Sequence, residues 1–211
     1  MGFETLPWKE RLFVATRRRS APLAEVAQRV TGRRVAEVGC GHGALTALLA
    51  EDATRHVLGV DPDERKIHWA RQALAGRPNV ELRACGVEAL SPELDGALDA
   101  VVIADVLYLI PLPARTDFLC ACRRLLAPWG ALVLKEAEAD GSWRYWKTLL
   151  QEQLLVRLLQ RTRSSGGLAF QSRAGWVHTV EEAGFLVREA TSLAAGYTTP
   201  HLLIVAHRSE A

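Results

Sequence analysis

Charge of one sign is scarce in this 211-residue chain: 26 Lys and Arg stand against 24 Asp and Glu, a net of +2 at pH 7. So even a balance gives no electrostatic footprint for a phosphate backbone, and nucleic acid is not an expected partner. No run of about 20 uncharged apolar residues occurs, so no segment reads as a membrane span. The N-terminal residues carry charge with no long apolar stretch before it, which argues against a secretory leader. Cysteine is sparse and scattered, at Cys40, Cys85, Cys120 and Cys122. Cys120-Ala-Cys122 lacks the spacing of a zinc pair, and no second ligand pair follows it. The four read as small apolar residues in a reducing compartment, which places the chain in the cytoplasm. His, Cys and carboxylates show no metal-ligand spacing either, so no metal is expected. Repeats, low-complexity tracts and linkers are missing as well. With 49% hydrophobic residues, the expectation is one domain over 1–211 with a sizeable core.

What is present alternates. Leu6 to Arg18 and Pro22 to Val30 carry apolar residues at three-to-four spacing and predict a helical cap over 1–31. The run Arg17-Arg18-Arg19 reads as a solvated face. Strands are predicted at Arg34–Val38, His56–Val60, Asn79–Ala84, Ala97–Ala104 and Ala131–Lys135. Helices fall between them, from Ala44, over Asp63–Ala75 and over Pro113–Leu126. Such alternation predicts a parallel sheet covered by helices on both faces. A Leu-rich amphipathic helix is predicted from Ser142 to Arg161, and Ser172 reads as the N-cap of a helix ending near Gly184. Phe185–Ser192 and His201–Ala206 then predict a hairpin, with one strand antiparallel to the rest.

The most informative stretch is Val35-Ala-Glu37-Val-Gly39-Cys40-Gly41-His-Gly43. An apolar strand ends in an acid, glycine recurs at every second position, and a helix follows. Glycine lets the backbone bend tightly and approach a ligand without a Cβ in the way, and a helix start offers unpaired N–H groups. Gly39-Cys-Gly41-His-Gly43-Ala44 also fits the dinucleotide pattern, with Asp61 as a downstream acid. Glu37 before the loop, the helical prelude and the terminal hairpin fit that pattern less well.

In these blocks the sequence resembles the class I S-adenosylmethionine (SAM) dependent methyltransferases. The resemblance runs from about Arg33 to His207. Val35–Gly43 is similar to the family's E/D-x-G-x-G-x-G loop. Leu58-Gly-Val-Asp61 is similar to its ribose-binding motif. Asp99–Pro111, with Ala104-Asp105-Val106-Leu107-Tyr108, is similar to the block beside the methyl donor, and Leu125–Leu134 to the turn and strand after it. The resemblance implies a Rossmann-like α/β fold of seven strands, mostly parallel, with a C-terminal antiparallel hairpin and helices on both faces. It implies SAM as cofactor and S-adenosylhomocysteine as product. It assigns cofactor binding to Glu37, Gly39, Cys40, Gly41, Gly43, Asp61, Pro62, Gly86, Val87, Ala104 and Asp105. Asp61 also has a local alternative, capping the helix after Pro62. Two departures stand out. Gly86 occupies the place of the family's adenine-contacting acid, which leaves adenine to backbone groups and apolar walls from Pro62, Cys85, Val87 and Val106, or to Glu88 as a substitute, and Trp129 replaces a glycine after Pro128.

The family's topology sets the hairpin around Tyr197 and His201 at the same edge as Glu136 and Tyr108. His201 is the candidate general base, since histidine titrates near neutrality, with Tyr108, Glu136 and Tyr197 as its expected neighbours. The 141–172 insertion is expected to form a substrate lid, with Trp143 and Trp146 toward substrate. Its helix also suits a homodimer contact or, with its aromatic and basic start, a membrane surface. The reading is methyl transfer to a hydrophobic small molecule or lipid-like natural product, on oxygen, with carbon or nitrogen as alternatives. A non-catalytic SAM-binding or partner-binding subunit is the reading from another class.

Overall fold

The computed structural model describes residues 2–141, 170–193, 196–197 and 199–209. Within them a seven-stranded sheet is built from β1 (Arg34–Val38), β2 (His56–Val60), β3 (Val80–Arg83), β4 (Leu98–Ala104), β5 (Leu126–Ala137), β6 (Phe185–Ser192) and β7 (His201–Arg208). Their order is β3-β2-β1-β4-β5-β7-β6. Neighbours from β3 through β5 pair in parallel, and β7 runs antiparallel to both β5 and β6. This is the predicted sheet with its single reversed strand.

The central strands are apolar on both sides because both are covered. On one side Val35, Val57, Val102, Val133 and Leu203 pack with α2 (Leu23–Arg29) and α3 (Ala44–Leu49). On the other, Val38, Val60, Ile103, Leu134 and Ile204 pack with α5 (Leu112–Leu125) and α6 (Arg173–Glu182), whose Trp176 is fully buried. α1 (Trp8–Ser20) and α4 (Glu64–Ala73) meet through Val14 and Ala73.

Capping chemistry explains two boundaries. Asp63 accepts from the Arg65 N–H and opens α4, so the cap is Asp63 rather than Asp61. Ser172 accepts from Gly175 N–H and opens α6, as predicted. β5 is longer than predicted, starting directly where α5 ends. At Trp129 it adopts φ 64°, the left-handed region that favours glycine.

Candidate functional site

The carboxyl ends of β1, β2, β4 and β5 and the start of antiparallel β7 share one sheet edge. Open parallel sheets bind ligands at that edge. After β1 the chain turns back, with Gly39 and Cys40 N–H both donating to Val60 C=O at 2.7 and 2.9 Å. Gly39 has φ 82°, and a Cβ there would collide with the Val106 side chain. Gly41, at φ 55°, faces open space, the nearest atom to an added Cβ being Asp61 Oδ2 at 4.0 Å. That open backbone is the surface a cofactor needs.

Asp61 braces this cradle. Oδ2 accepts from Gly41 N–H at 3.0 Å and Oδ1 from Asp63 N–H at 2.9 Å. Each carboxylate oxygen keeps a further lone pair for a hydroxyl. Glu37, on β1, is buried and accepts a short hydrogen bond from the Thr46 hydroxyl of α3. Burial raises its pKa to about 7, against the Thr46 bonds that lower it. A cationic ligand group would restore its charge. Cys40 is buried, and its thiol is pushed up by that burial and by Glu37 and Asp61, so it is an inert wall. A Cβ on Gly86 would lie 2.7 Å from Glu88 Oε2, so the Glu88 carboxylate folds over Gly86. Val87 sits in the core beneath this loop. Pro62 follows Asp61 into α4. The donor and acceptor set fits SAM: an acid for an ammonium, an acid for two ribose hydroxyls, and bare backbone between them.

Beside the cradle lies a cavity of about 60 Å³, lined by Arg17, Ser20, Ala21, Asp105, Tyr108, Lys135, Ala137, Phe170, Thr199 and His201. Segments far apart in sequence thus meet at one place, including the hairpin, β5 and the stretch after β4. Asp105 holds φ 58°, a left-handed conformation that aspartate tolerates. Its carboxylate is not open toward a ligand ammonium. Lys135 Nζ donates to Oδ1 and Oδ2 at 2.6 and 2.7 Å, and Arg17 Nη2 lies 2.7 Å from Oδ2. Burial pushes the Asp105 carboxyl up, but Arg17 and Lys135 outweigh it and hold the acid ionised. Burial lowers Lys135, and Asp105 opposes that shift. Arg17 also donates to Ala104 C=O at 3.3 Å. The basic run is therefore only partly a solvated face: Arg18 and Arg19 are exposed, whereas Arg17 enters the site.

His201 is buried, with Nε2 2.9 Å from Ser20 C=O. A carbonyl can only accept, so Nε2 carries the proton and Nδ1 keeps a lone pair. Nδ1 has no hydrogen-bond partner among the described residues. Burial, then Lys135, lower the imidazole to about 4, so it is neutral at physiological pH. Tyr108 is buried and stacks on Phe170 with ring centroids 5.0 Å apart. Tyr197 turns its hydroxyl to Glu25 on α2, at 2.9 Å, and presents its ring to the edge of His201.

The expected grouping of Glu136 with His201 needs correction. Adjacent strand residues face opposite sides, and Ala137 pairs with His201 while Glu136 pairs with Leu202. Glu136 therefore points to the α5 side. Its Oε1 accepts from Val106 and Leu107 N–H at 2.9 and 2.7 Å. Burial, then Asp105, raise its pKa to about 7. It shapes the loop that carries Tyr108 from behind. Trp143 and Trp146 lie outside the described residues.

Sequence reasoning missed α1 as part of the site. Glu10 bonds His42 Nε2 at 2.8 Å, and Phe13 packs on the same imidazole, so α1 runs from the glycine loop to Asp105. The signal was the helical spacing of Glu10 and Arg17, seven residues apart on one face. Among the described residues no group of three or more His, Cys, Asp and Glu is set to hold a metal ion, and no helix is long and apolar enough to cross a membrane.

Sheet order, glycine cradle and the two acids at the strand ends define the class I SAM-dependent methyltransferase fold. A family model described as "Methyltransferase domain" matches residues 35–130. The ubiquinone biosynthesis O-methyltransferase of Acinetobacter baylyi is 28% identical over 177 residues, covering 82% of this chain and 71% of that protein. The protein of the same name from Bordetella avium is 37% identical over 140 residues, 66% of this chain and 56% of its own length. Among solved structures, the Burkholderia thailandensis 1,6-didemethyltoxoflavin-N1-methyltransferase, with bound S-adenosylhomocysteine, superposes with a TM-score of 0.68 at 18% identity. That superposition covers 90% of this chain and 77% of that one. Residues 35–130 thus match a methyltransferase domain, and the chain has the Rossmann-like fold of the class I SAM-dependent methyltransferases.

Proposed function

We propose that this enzyme methylates an oxygen atom of a hydrophobic, ring-bearing small molecule. The observation that carries the reading is the adjacency of the cradle to a small cavity in which one buried imidazole nitrogen, His201 Nδ1, has no partner among the described residues. The curated relatives are named for O-methylation in ubiquinone biosynthesis, which supports oxygen and a lipid-like acceptor. The fold itself does not choose the atom, since a structure superposing on this one belongs to an N1-methyltransferase.

SAM, when bound, supplies a methyl group made electrophilic by its sulfonium. On this chain Glu37 answers the methionine ammonium and Asp61 the ribose hydroxyls. Gly39, Cys40, Gly41, Gly43, Ala104 and Asp105 line the methionine end, while Pro62, Gly86, Val87 and Glu88 frame the adenine. Tyr108 and Tyr197 wall the acceptor side, and the 141–172 insertion with Trp143 and Trp146 is assigned to the acceptor as a lid. The acceptor oxygen would take that methyl group with its lone pair, and the chain's own part would be to accept the oxygen's proton at His201 Nδ1. No metal enters this scheme. We place the enzyme in the cytoplasm, in keeping with its four free cysteines; a homodimer through the insertion helix is part of the same proposal.

Calorimetry with SAM, followed by turnover on a metabolite extract, tests the reading. Binding with transfer to an oxygen supports it; binding with no transfer makes the chain a SAM-binding subunit. His201→Ala is expected to keep SAM binding and lose most turnover.

A further inference from the structure

We propose that Glu136 is a positioning residue: its carboxyl group sets the turn after β4, on which SAM and the acceptor cavity both depend. This rests on the methyltransferase reading and adds to that site a residue that touches neither ligand. The backbone of the turn is the first argument. Asp105 holds φ 58°, and Val106 follows it on the right-handed side with φ −121° and ψ −45°. Successive N–H groups in such a turn point inward together and make a concavity for an anion. The anion here belongs to the chain itself. Glu136 Oε1 accepts from Val106 N–H at 2.9 Å and from Leu107 N–H at 2.7 Å. A left-handed aspartate persists where its surroundings over-determine it, and β5 supplies that restraint. Lys135 C=O accepts from Asp105 N–H at 2.8 Å, and Lys135 Nζ holds the Asp105 carboxylate from one side of the sheet. Glu136 holds the next two residues from the other side. Two consecutive strand residues thus fix three consecutive turn residues.

The placement of the acid is the second argument. Leu132 and Leu134 face the same side of β5 and are buried in the core there. Glu136 continues their row at 1% exposure. A buried carboxyl group is unfavourable unless it is bonded, and an apolar residue would continue the row without that penalty. Glu136 accepts its hydrogen bonds from the turn, and its Oε2 has no hydrogen-bond partner among the described residues. The turn it holds faces both ligands. Val106 lies against the glycine loop, where a Cβ on Gly39 would collide with Val106 Cγ2. Leu107 opens the short helical segment Leu107–Leu109, which sets Tyr108 in the cavity wall. Withdrawing the oxygen from behind the turn therefore loosens Val106 against the cofactor loop, although Glu136 itself faces away from the cavity.

Calorimetry with SAM on the full chain tests this. Glu136→Asp keeps the acid but draws its oxygen back by one methylene, and Glu136→Met removes the acceptor. Each is expected to weaken SAM binding by about tenfold or more. Glu136→Gln leaves an acceptor oxygen in place and should stay within about threefold of wild type. Val180→Ala, a truncation in the buried face of α6, is the control for stability. It should lower Tm and leave SAM affinity within about twofold. Amide exchange at Val106 and Leu107, measured without SAM, should speed about tenfold in Glu136→Asp while β4 stays protected. If circular dichroism shows Glu136→Met unfolded, Glu136→Asp and Glu136→Gln decide. Unchanged exchange in Glu136→Asp, a loss in Glu136→Gln as large as in Glu136→Asp, or a loss in Val180→Ala of that size would overturn the proposal. The wild type separates the two levels. SAM binding that Glu136→Asp leaves intact sinks this inference alone, whereas a wild type that binds no SAM sinks the methyltransferase reading and this inference with it.

Discussion

Arg17 Nη2 lies 2.7 Å from Asp105 Oδ2, tying the end of the first helix to the end of β4. At the other end of that helix Glu10 holds His42 of the glycine loop. α1 is thus fastened across the sheet edge at two points, over the cradle and over the cavity. With the Arg17 side chain 31% exposed, the tie is worth roughly 1 kcal/mol. Arg17→Gln is expected to speed amide exchange in α1 about fivefold while leaving β4 and β5 protected. Unchanged exchange would show that Val14 packing and the Glu10–His42 contact seat the helix without Arg17.

Glu37 is expected to make SAM binding depend on pH. Its folded pKa, about 7, stands above the ordinary 4.5 because the carboxyl is buried. The folded chain therefore binds more protons than the unfolded one between those values. The contribution is fully present below pH 4.5 and is lost as pH rises through 7, to a total of about 3 kcal/mol. Glu37→Gln should flatten that fall in stability. An incoming ammonium restores the carboxylate, so SAM binding near pH 6 should release a proton and tighten as pH rises. Calorimetry in buffers of different ionisation enthalpy measures this, and a proton count of zero in wild type would separate Glu37 from the ammonium.

Asp61 and Glu88 are expected to divide the nucleoside between them. Asp61→Ala removes the brace on Gly41 as well as the hydroxyl acceptor, and a loss of SAM affinity of about 100-fold is expected. Glu88→Gln keeps the shape against Gly86 and removes only charge, so about threefold to tenfold is expected. Fluorescence titration of both variants checks the order. If Glu88→Gln equals wild type, adenine is held by backbone and apolar walls alone.

The fold was legible because its determinants are local. Near-continuous apolar strands such as 100–104, glycine at the turn after β1 and Ser172 at a helix start each speak within a few residues. The glycine turn was legible for the same reason. The cavity beside it was less so, because its charges pair across the whole chain: Arg17 with Asp105, and Asp105 with Lys135. No local pattern separates Arg17 from Arg18. One misplacement was avoidable. Lys135 and Glu136 are consecutive in a strand, so only one of them can face His201, and the pairing of Ala137 with His201 makes it Lys135.

Trp129 isolates a backbone cost from function. It holds φ 64° and is 55% exposed, and its carbonyl accepts from His207 Nδ1 at 3.0 Å. A left-handed conformation costs an L-residue about 1–2 kcal/mol, whereas glycine adopts it freely but loses about 0.5–1 kcal/mol in unfolded-state entropy. Trp129→Gly should therefore gain about 0.5–1 kcal/mol and raise Tm by roughly 1–4 °C. Trp129→Val, whose β-branch tolerates positive φ poorly, should lower Tm. Both keep the His207 bond, since it is made to the backbone. Thermal unfolding of the pair decides the point: a fall in Trp129→Gly would show that the indole stabilises the turn by more than its backbone strain. SAM affinity should not change in either variant, because the turn lies at the opposite end of β5 from Lys135.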